Sequence, residues 1–118
     1  MDNKTNSQML KGILSGSILI LLDREELYGY ALSERLSDFG FIDIAKGTIY
    51  PLLLSLEKKK LIKSTFRESD AGPKRKYYSL TDAGEKQKNE FVLQWMKLKN
   101  NVDHLIREDS KNENTWTS

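Results

Sequence analysis

Ser69-Asp70-Ala71-Gly72-Pro73-Lys74 separates two short runs that alternate between apolar and polar side chains, and this pattern constrains the fold more than any other. Ile62 to Glu68 puts Ile62, Ser64 and Phe66 on one face. Lys76 to Leu80 puts Tyr78 and Leu80 on one face and Tyr77 on the other. Alternation on both sides of a connection rich in turn formers predicts a β-hairpin. The remaining apolar residues recur at helical spacing, so the hairpin must sit beside helices.

From Gln8 to about Asp23, the side chains Leu10, Ile13, Leu14, Ile18, Leu21 and Leu22 predict a first helix that is buried on nearly all sides. Residues 1–7 are polar and expected to fray. A second helix fits Tyr28 to about Phe39, with Tyr28, Leu32 and Leu36 on one face and Gly40 as its stop. Ile42 to Ile44 is too short for an independent element and reads as an edge strand or a link. The third helix runs from Lys46 to about Lys60 with Ile49, Leu52, Leu53 and Leu56 inward. Pro51 is tolerated within the first turn, where its missing N–H has no partner anyway, and this fixes the helix start near Gly47. Thr81 reads as the N-cap of a last helix, with Asp82 complementing the dipole.

The order helix, helix, helix, strand, strand, helix implies a mainly α chain with a two-stranded β-wing: a winged helix-turn-helix plus one long C-terminal helix. Residues 8–81 would form the winged domain, 82–107 the long helix and 108–118 a polar, disordered tail carrying Trp116.

Charge is distributed unevenly. Residues 57–76 hold eight basic and three acidic side chains, while the whole chain carries a formal net charge of only +2. A basic segment on a mildly acidic body is the electrostatic footprint of a nucleic-acid binder; the plainer account is a solvated helix end followed by a Lys-rich turn. The absence of cysteine excludes disulfides and thiolate metal sites and suits a reducing cytosol. No apolar run reaches membrane-spanning length and Met1 to Gln8 is polar, so a cytoplasmic location without a membrane partner is expected. His104 has only Asp103 beside it, so no metal site is expected. No nucleophile–base pair or phosphate loop stands out, so neither a cofactor nor an enzyme is expected.

A helix tip beside a basic hairpin is what a winged helix offers to DNA. Lys46, Thr48, Tyr50 and Ser55 fall on or near the free face of the third helix. Tyr50 would hydrogen-bond a phosphate or a base edge, or pack on the wing; Thr48 would touch a thymine methyl or a phosphate, or simply lie exposed. Lys74 and Lys76 would meet phosphates, which positions a protein without reading sequence, and strand alternation sets Arg75 apart from them. Tyr28 and Tyr30 read as helix-packing residues.

Phe91, Trp95, Leu98, Val102 and Leu105 are spaced 4, 3, 4, 3, an a/d seam flanked by polar side chains. A helix of residues 82–107 would be roughly 39 Å long, too long for a domain of this size to cover. The seam therefore implies a homodimer, as DNA half-sites related by a two-fold require, or else a fold back onto helix one. Trp95 is either a packing anchor in that seam or the wall of a cavity that stacks flat aromatic ligands.

Leu10-Lys11-Gly12, Tyr28-Gly29-Tyr30, Gly47-Thr48-Ile49-Tyr50-Pro51-Leu52-Leu53, Leu56-Glu57, Leu61-Ile62 and Lys74-Arg75-Lys76-Tyr77-Tyr78-Ser79-Leu80-Thr81-Asp82-Ala83-Gly84 together resemble the PadR family of bacterial transcriptional regulators. The match covers residue 9 to about residue 106 in colinear order, and the single C-terminal helix resembles the short subfamily. The resemblance implies a dimeric repressor of a detoxification or efflux gene, or of its own promoter. It would bind a palindromic double-stranded operator, with Lys46, Thr48, Tyr50 and Pro51 on the recognition helix and Lys74, Arg75 and Lys76 on the wing, and be released or tuned by a small ligand, a planar aromatic effector if Trp95 walls a cavity. Two positions depart from the family pattern: Lys60 stands where a glycine is usual, and Gly72-Pro73 stands where consecutive glycines are common. The competing reading is a winged-helix protein-interaction module without sequence-specific DNA binding.

Overall fold

The computed structural model describes the backbone of residues 3–42, 46–70 and 72–112, and side chains from Leu10 onward except those of residues 11, 12, 46 and 109–112. In chain order the elements are α1 (Asn3–Arg24), β1 (Leu27–Tyr28), α2 (Gly29–Asp38), α3 (Lys46–Lys58), β2 (Ile62–Ser69), β3 (Gly72–Leu80) and α4 (Asp82–Asn112). The molecule is mainly helical with a small antiparallel sheet, and its first three helices, hairpin and last helix follow one another as expected from the sequence, with one strand added between α1 and α2.

That sheet has three strands rather than two, in the order β1-β3-β2. The added strand is Leu27–Tyr28, which pairs Leu27 with Tyr78 and Tyr28 with Tyr77. Tyr28 therefore belongs to the sheet, and α2 starts one residue later than expected. Ile42 lies in a turn, and residues 43 and 44 of the expected link fall outside the described residues. α1 begins at Asn3, five residues before Gln8, and α4 continues to Asn112, beyond the expected end at 107. The rest of the expected tail, from residue 113, lies outside the described residues.

Contacts between Cα atoms divide the chain into Met1–Lys88 and Asn89–Ser118. The first unit holds the core. Leu14, Ile18, Leu19, Leu21 and Leu22 of α1 meet Leu32 and Leu36 of α2, Ile49, Leu53 and Leu56 of α3, and Leu27, Ile62 and Tyr78 of the sheet. Burying each of these Leu and Ile side chains contributes roughly 1.5–3 kcal/mol before chain entropy is subtracted. The alternation of β2 holds near this core, where Ile62 is buried and Ser64 half-buried. It is lost towards the hairpin tip, where Phe66 is 66% exposed.

Pro51 is the sixth residue of α3 and not part of its first turn. The helix therefore lacks the bond that residue 51 would donate to the Gly47 carbonyl, a tolerable loss one turn from the end. α2 and α3 end in the same Schellman arrangement. After α2, Phe41 N–H reaches the Leu36 carbonyl and Gly40 N–H the Ser37 carbonyl, each at 2.9 Å. After α3, Leu61 N–H reaches Leu56 at 3.0 Å and Lys60 N–H reaches Glu57 at 2.9 Å. Lys60 takes a φ of 63° to do so, so the cap forms in full although the residue is not glycine.

The start of α4 is locked to this turn. Thr81 Oγ1 accepts the Gly84 N–H at 3.0 Å and donates to the Lys60 carbonyl at 2.7 Å. Gly84 packs so closely that a Cβ there would lie 1.9 Å from the Leu61 carbonyl oxygen, so no other residue fits. Lys88 adds an ion pair to Asp23 at 2.9 Å.

In the second unit, Phe91 is half-buried, and Trp95, Leu98, Val102 and Leu105 are 42%, 58%, 46% and 64% exposed. Lys99 and Asp103, one turn apart, pair at 2.8 Å, and the Lys99 hydrogen bond holds the Asp103 carboxyl below its ordinary value.

Candidate nucleic-acid interface

A cleft of about 270 Å³ lies where β1, α2, α3 and β3 meet. It is lined by Tyr28, Gly29, Tyr30, Tyr50, Arg75, Lys76 and Tyr78. Four phenols and two cations on one surface match the donor-rich, positively charged lining that a phosphodiester backbone requires.

Tyr50 is 47% exposed, and its ring rests on Gly29: a Cβ at that glycine would lie 2.9 Å from Tyr50 Cε1. The helix-three side chain expected to reach DNA is therefore positioned by the first residue of α2. Thr48 is half-buried, Pro51 is exposed, and Lys46 is the first residue of α3 with a side chain outside the described set. Tyr30, at the rim, has its hydroxyl pKa raised, chiefly by a hydrogen bond with Glu34.

The wing cations occupy three different settings. The Arg75 guanidinium lies 4.5 Å above the Tyr28 ring, and Tyr28 in turn contacts Tyr77 at 5.4 Å and Tyr30 at 6.5 Å between centroids. Lys76 Nζ lies 3.3 Å from Glu57 Oε1 and 5.4 Å from the Tyr78 ring centre. Lys74 is 62% exposed, more open than Lys76, and only loosely paired with Glu68 at 3.8 Å. Below them Arg67 pairs with Glu26 and lies 4.9 Å over Tyr77, fastening the wing to the segment before β1. Ser69 Oγ donates to the Pro73 carbonyl at 2.9 Å and braces the tip.

Glu57 is the unexpected member. It projects from the last turn of α3, accepts a 2.6 Å hydrogen bond from Ser64 Oγ, and pairs with Lys76. The Ser64 bond, aided by Lys76 and opposed by partial burial, lowers its pKa. On Lys76, burial is the largest influence and works against the charge, but Tyr78 and Glu57 together outweigh it and raise its pKa.

The expected residues from Thr48 to Lys76 thus lie on adjoining elements of one unit, and Tyr50, Arg75 and Lys76 share the cleft. Sequence reasoning missed Tyr28 and Tyr30 as cleft residues, because helical spacing assigned them to packing. It missed Glu57 because an acid in a basic stretch reads as charge balance. Phe91, Trp95, Leu98, Val102 and Leu105 belong to the second unit.

Residues 18–90 match the family described as "Transcriptional regulator PadR-like family". The fold is similar to that of a PadR-like transcriptional regulator from Bacillus cereus, 48% identical with a TM-score of 0.77 over 84% of this chain and 96% of that one. It is also similar to a Streptococcus transcriptional regulator, 44% identical with a TM-score of 0.76 over 83% and 96%. A PadR family regulator from Eggerthella lenta is 36% identical with a TM-score of 0.77 over 92% and 96%. A protein of Lysinibacillus sphaericus, described only as uncharacterized, is 32% identical over 99 residues, 82% of this chain and 91% of its own length. With the winged helix, the aromatic and cationic cleft and these relatives agreeing, the chain belongs to the PadR-like family of transcriptional regulators and is a DNA-binding regulator, not an enzyme.

Proposed function

We propose that the protein is a cytoplasmic, homodimeric repressor that reads a palindromic operator with α3 and the wing and releases it on binding a small planar aromatic ligand. Its targets would be a detoxification or efflux gene, its own promoter, or both. One observation carries the DNA reading: exposed Tyr50 from α3 and Arg75 and Lys76 from β3 line a single cleft. In this reading Thr48, Tyr50 and Pro51 face the major groove with Lys46 at the helix start. Lys74, Arg75 and Lys76 meet the backbone.

Support for dimerisation comes from the exposed apolar stripe of Trp95, Leu98, Val102 and Leu105, continued by Ile106 at 52% exposure. A continuous stripe of that kind calls for a partner. Trp95, the first residue of this exposed stripe, is the candidate ligand contact.

The test is a gel-shift titration against DNA upstream of the protein's own gene, with and without planar aromatic compounds. Affinity should fall steeply with salt, and Lys74→Ala and Lys76→Ala should each reduce the salt slope by about one phosphate per protomer. A slope unchanged by both substitutions would overturn the wing assignment. For the ligand, Trp116 is replaced first so that Trp95 alone reports by fluorescence. If Trp95→Ala costs about 3–5 kcal/mol of dimer stability, the residue is a packing anchor. Unchanged stability with loss of ligand-dependent release from operator DNA in the gel shift marks a binding wall.

A further inference from the structure

Glu57 presents a problem for any reading in which Lys76 meets phosphate. A carboxylate near a DNA backbone repels it, yet this one is held in place by Ser64 Oγ at 2.6 Å and has captured the Lys76 ammonium at 3.3 Å. It is only partly open to solvent: its side chain is 30% exposed, and that of Lys76 is 36% exposed. The two come from different elements, the last turn of α3 and the cleft-lining part of β3, so their pairing spans the region between recognition helix and wing. A carboxylate oxygen and a phosphate oxygen offer an ammonium the same kind of acceptor. While Glu57 holds Lys76, the cation is already neutralised and releases few DNA counterions on contact.

Resting on the assignment of Lys76 to the DNA-facing cleft, we infer that Glu57 is a specificity-determining residue: an internal stand-in for phosphate that holds Lys76 until a correctly placed DNA backbone displaces it. Random duplex meets the wing loosely and has little with which to offset the broken pair. An operator that seats both recognition helices brings its phosphate to Lys76 as part of a larger set of contacts, so the same cost is spread and overcome. Ser64 has a positioning role, because its hydrogen bond keeps the carboxylate aimed at Lys76 rather than turned to solvent.

The experiment uses Glu57→Gln, which keeps an acceptor for Ser64 and removes the charge, together with Lys76→Met and the double variant. Each full-length protein is titrated with operator duplex recovered by selection from random sequence, and with a scrambled duplex, across a salt series. Expected for Glu57→Gln is about threefold tighter binding to scrambled duplex, a salt slope steeper by about one ion per protomer, and a smaller gain on operator. The ratio of operator to scrambled affinity falls. In the Lys76→Met background Glu57→Gln should then change nothing, whereas simple repulsion between Glu57 and DNA would persist there and overturn the inference. Weaker binding by Glu57→Gln would also overturn it, since Glu57 would then be presenting Lys76 to DNA. Urea unfolding of each variant identifies any effect that comes from loss of the fold. If Lys76→Met alone leaves both affinity and slope intact, the assignment of Lys76 to DNA fails instead, a distinct result.

Discussion

At Lys60 the backbone adopts a φ of 63°, which costs an L side chain about 1–2 kcal/mol and glycine almost nothing. The Schellman bonds on either side hold it there, and the Lys60 carbonyl is committed to Thr81 Oγ1. Lys60→Gly should therefore stabilise the protein by about 1 kcal/mol, offset in part by greater freedom of the unfolded chain. Urea unfolding would show this as a higher midpoint with an unchanged slope. Glu57 supplies a pH-dependent counterpart. Its folded pKa is depressed, so its contribution is fully present above the ordinary carboxylate value of 4.5 and is lost as pH falls through the lowered value. Glu57→Gln should thus make stability less dependent on pH below that point, measured by thermal unfolding across an acid series. The Thr81 cap was legible in sequence because it acts three residues ahead, on Gly84. Its bond to Lys60 was not, because it joins residues 21 apart.

Among the elements, the helices were legible to the extent that their apolar spacing repeats, and the hairpin because alternation and turn residues coincide. β1 was not. Two residues carry no period, and Leu27–Tyr28 becomes a strand only through its pairing with Tyr77 and Tyr78. That pairing brings Tyr28 under Arg75 and sets Gly29 at the start of α2, beneath Tyr50. The cleft is thus a product of sheet registration, which composition and spacing could not supply. The same geometry separates folding from binding at Gly29. A methyl group there would meet the far end of the Tyr50 ring, which can swing aside, so Gly29→Ala should change unfolding stability by less than about 1 kcal/mol. The displaced phenol should nevertheless weaken operator binding. Parallel urea and gel-shift titrations test this, and loss of stability equal to the loss of binding would count against a positioning role for Gly29.

At the scale of the whole molecule, the proposed dimer would divide DNA reading and assembly between different stretches of one chain, so the seam can be altered without substituting any residue of the recognition helix or the wing. The 4-3-4-3 spacing from Phe91 to Leu105 was visible in sequence because a seam is a periodic property. The residues that support the cleft come from four elements and were not visible together. Leu98 and Val102 are exposed on the described chain, so charged replacements there leave the core of the first unit untouched. In the proposed dimer the same charges would be forced together at the seam without partners, which costs far more than a solvated charge. The double variant Leu98→Asp, Val102→Asp should therefore elute as a monomer by sizing with light scattering, while circular dichroism still reports a helical protein. Such a monomer retains one recognition helix and one wing. Its salt slope on operator duplex should fall to about half that of the dimer, since half the phosphate contacts remain. Its affinity should fall by several orders of magnitude, because linked half-sites act at high effective concentration. A variant that stays dimeric, or a monomer that binds operator with the full slope, would place the two-fold elsewhere than in α4.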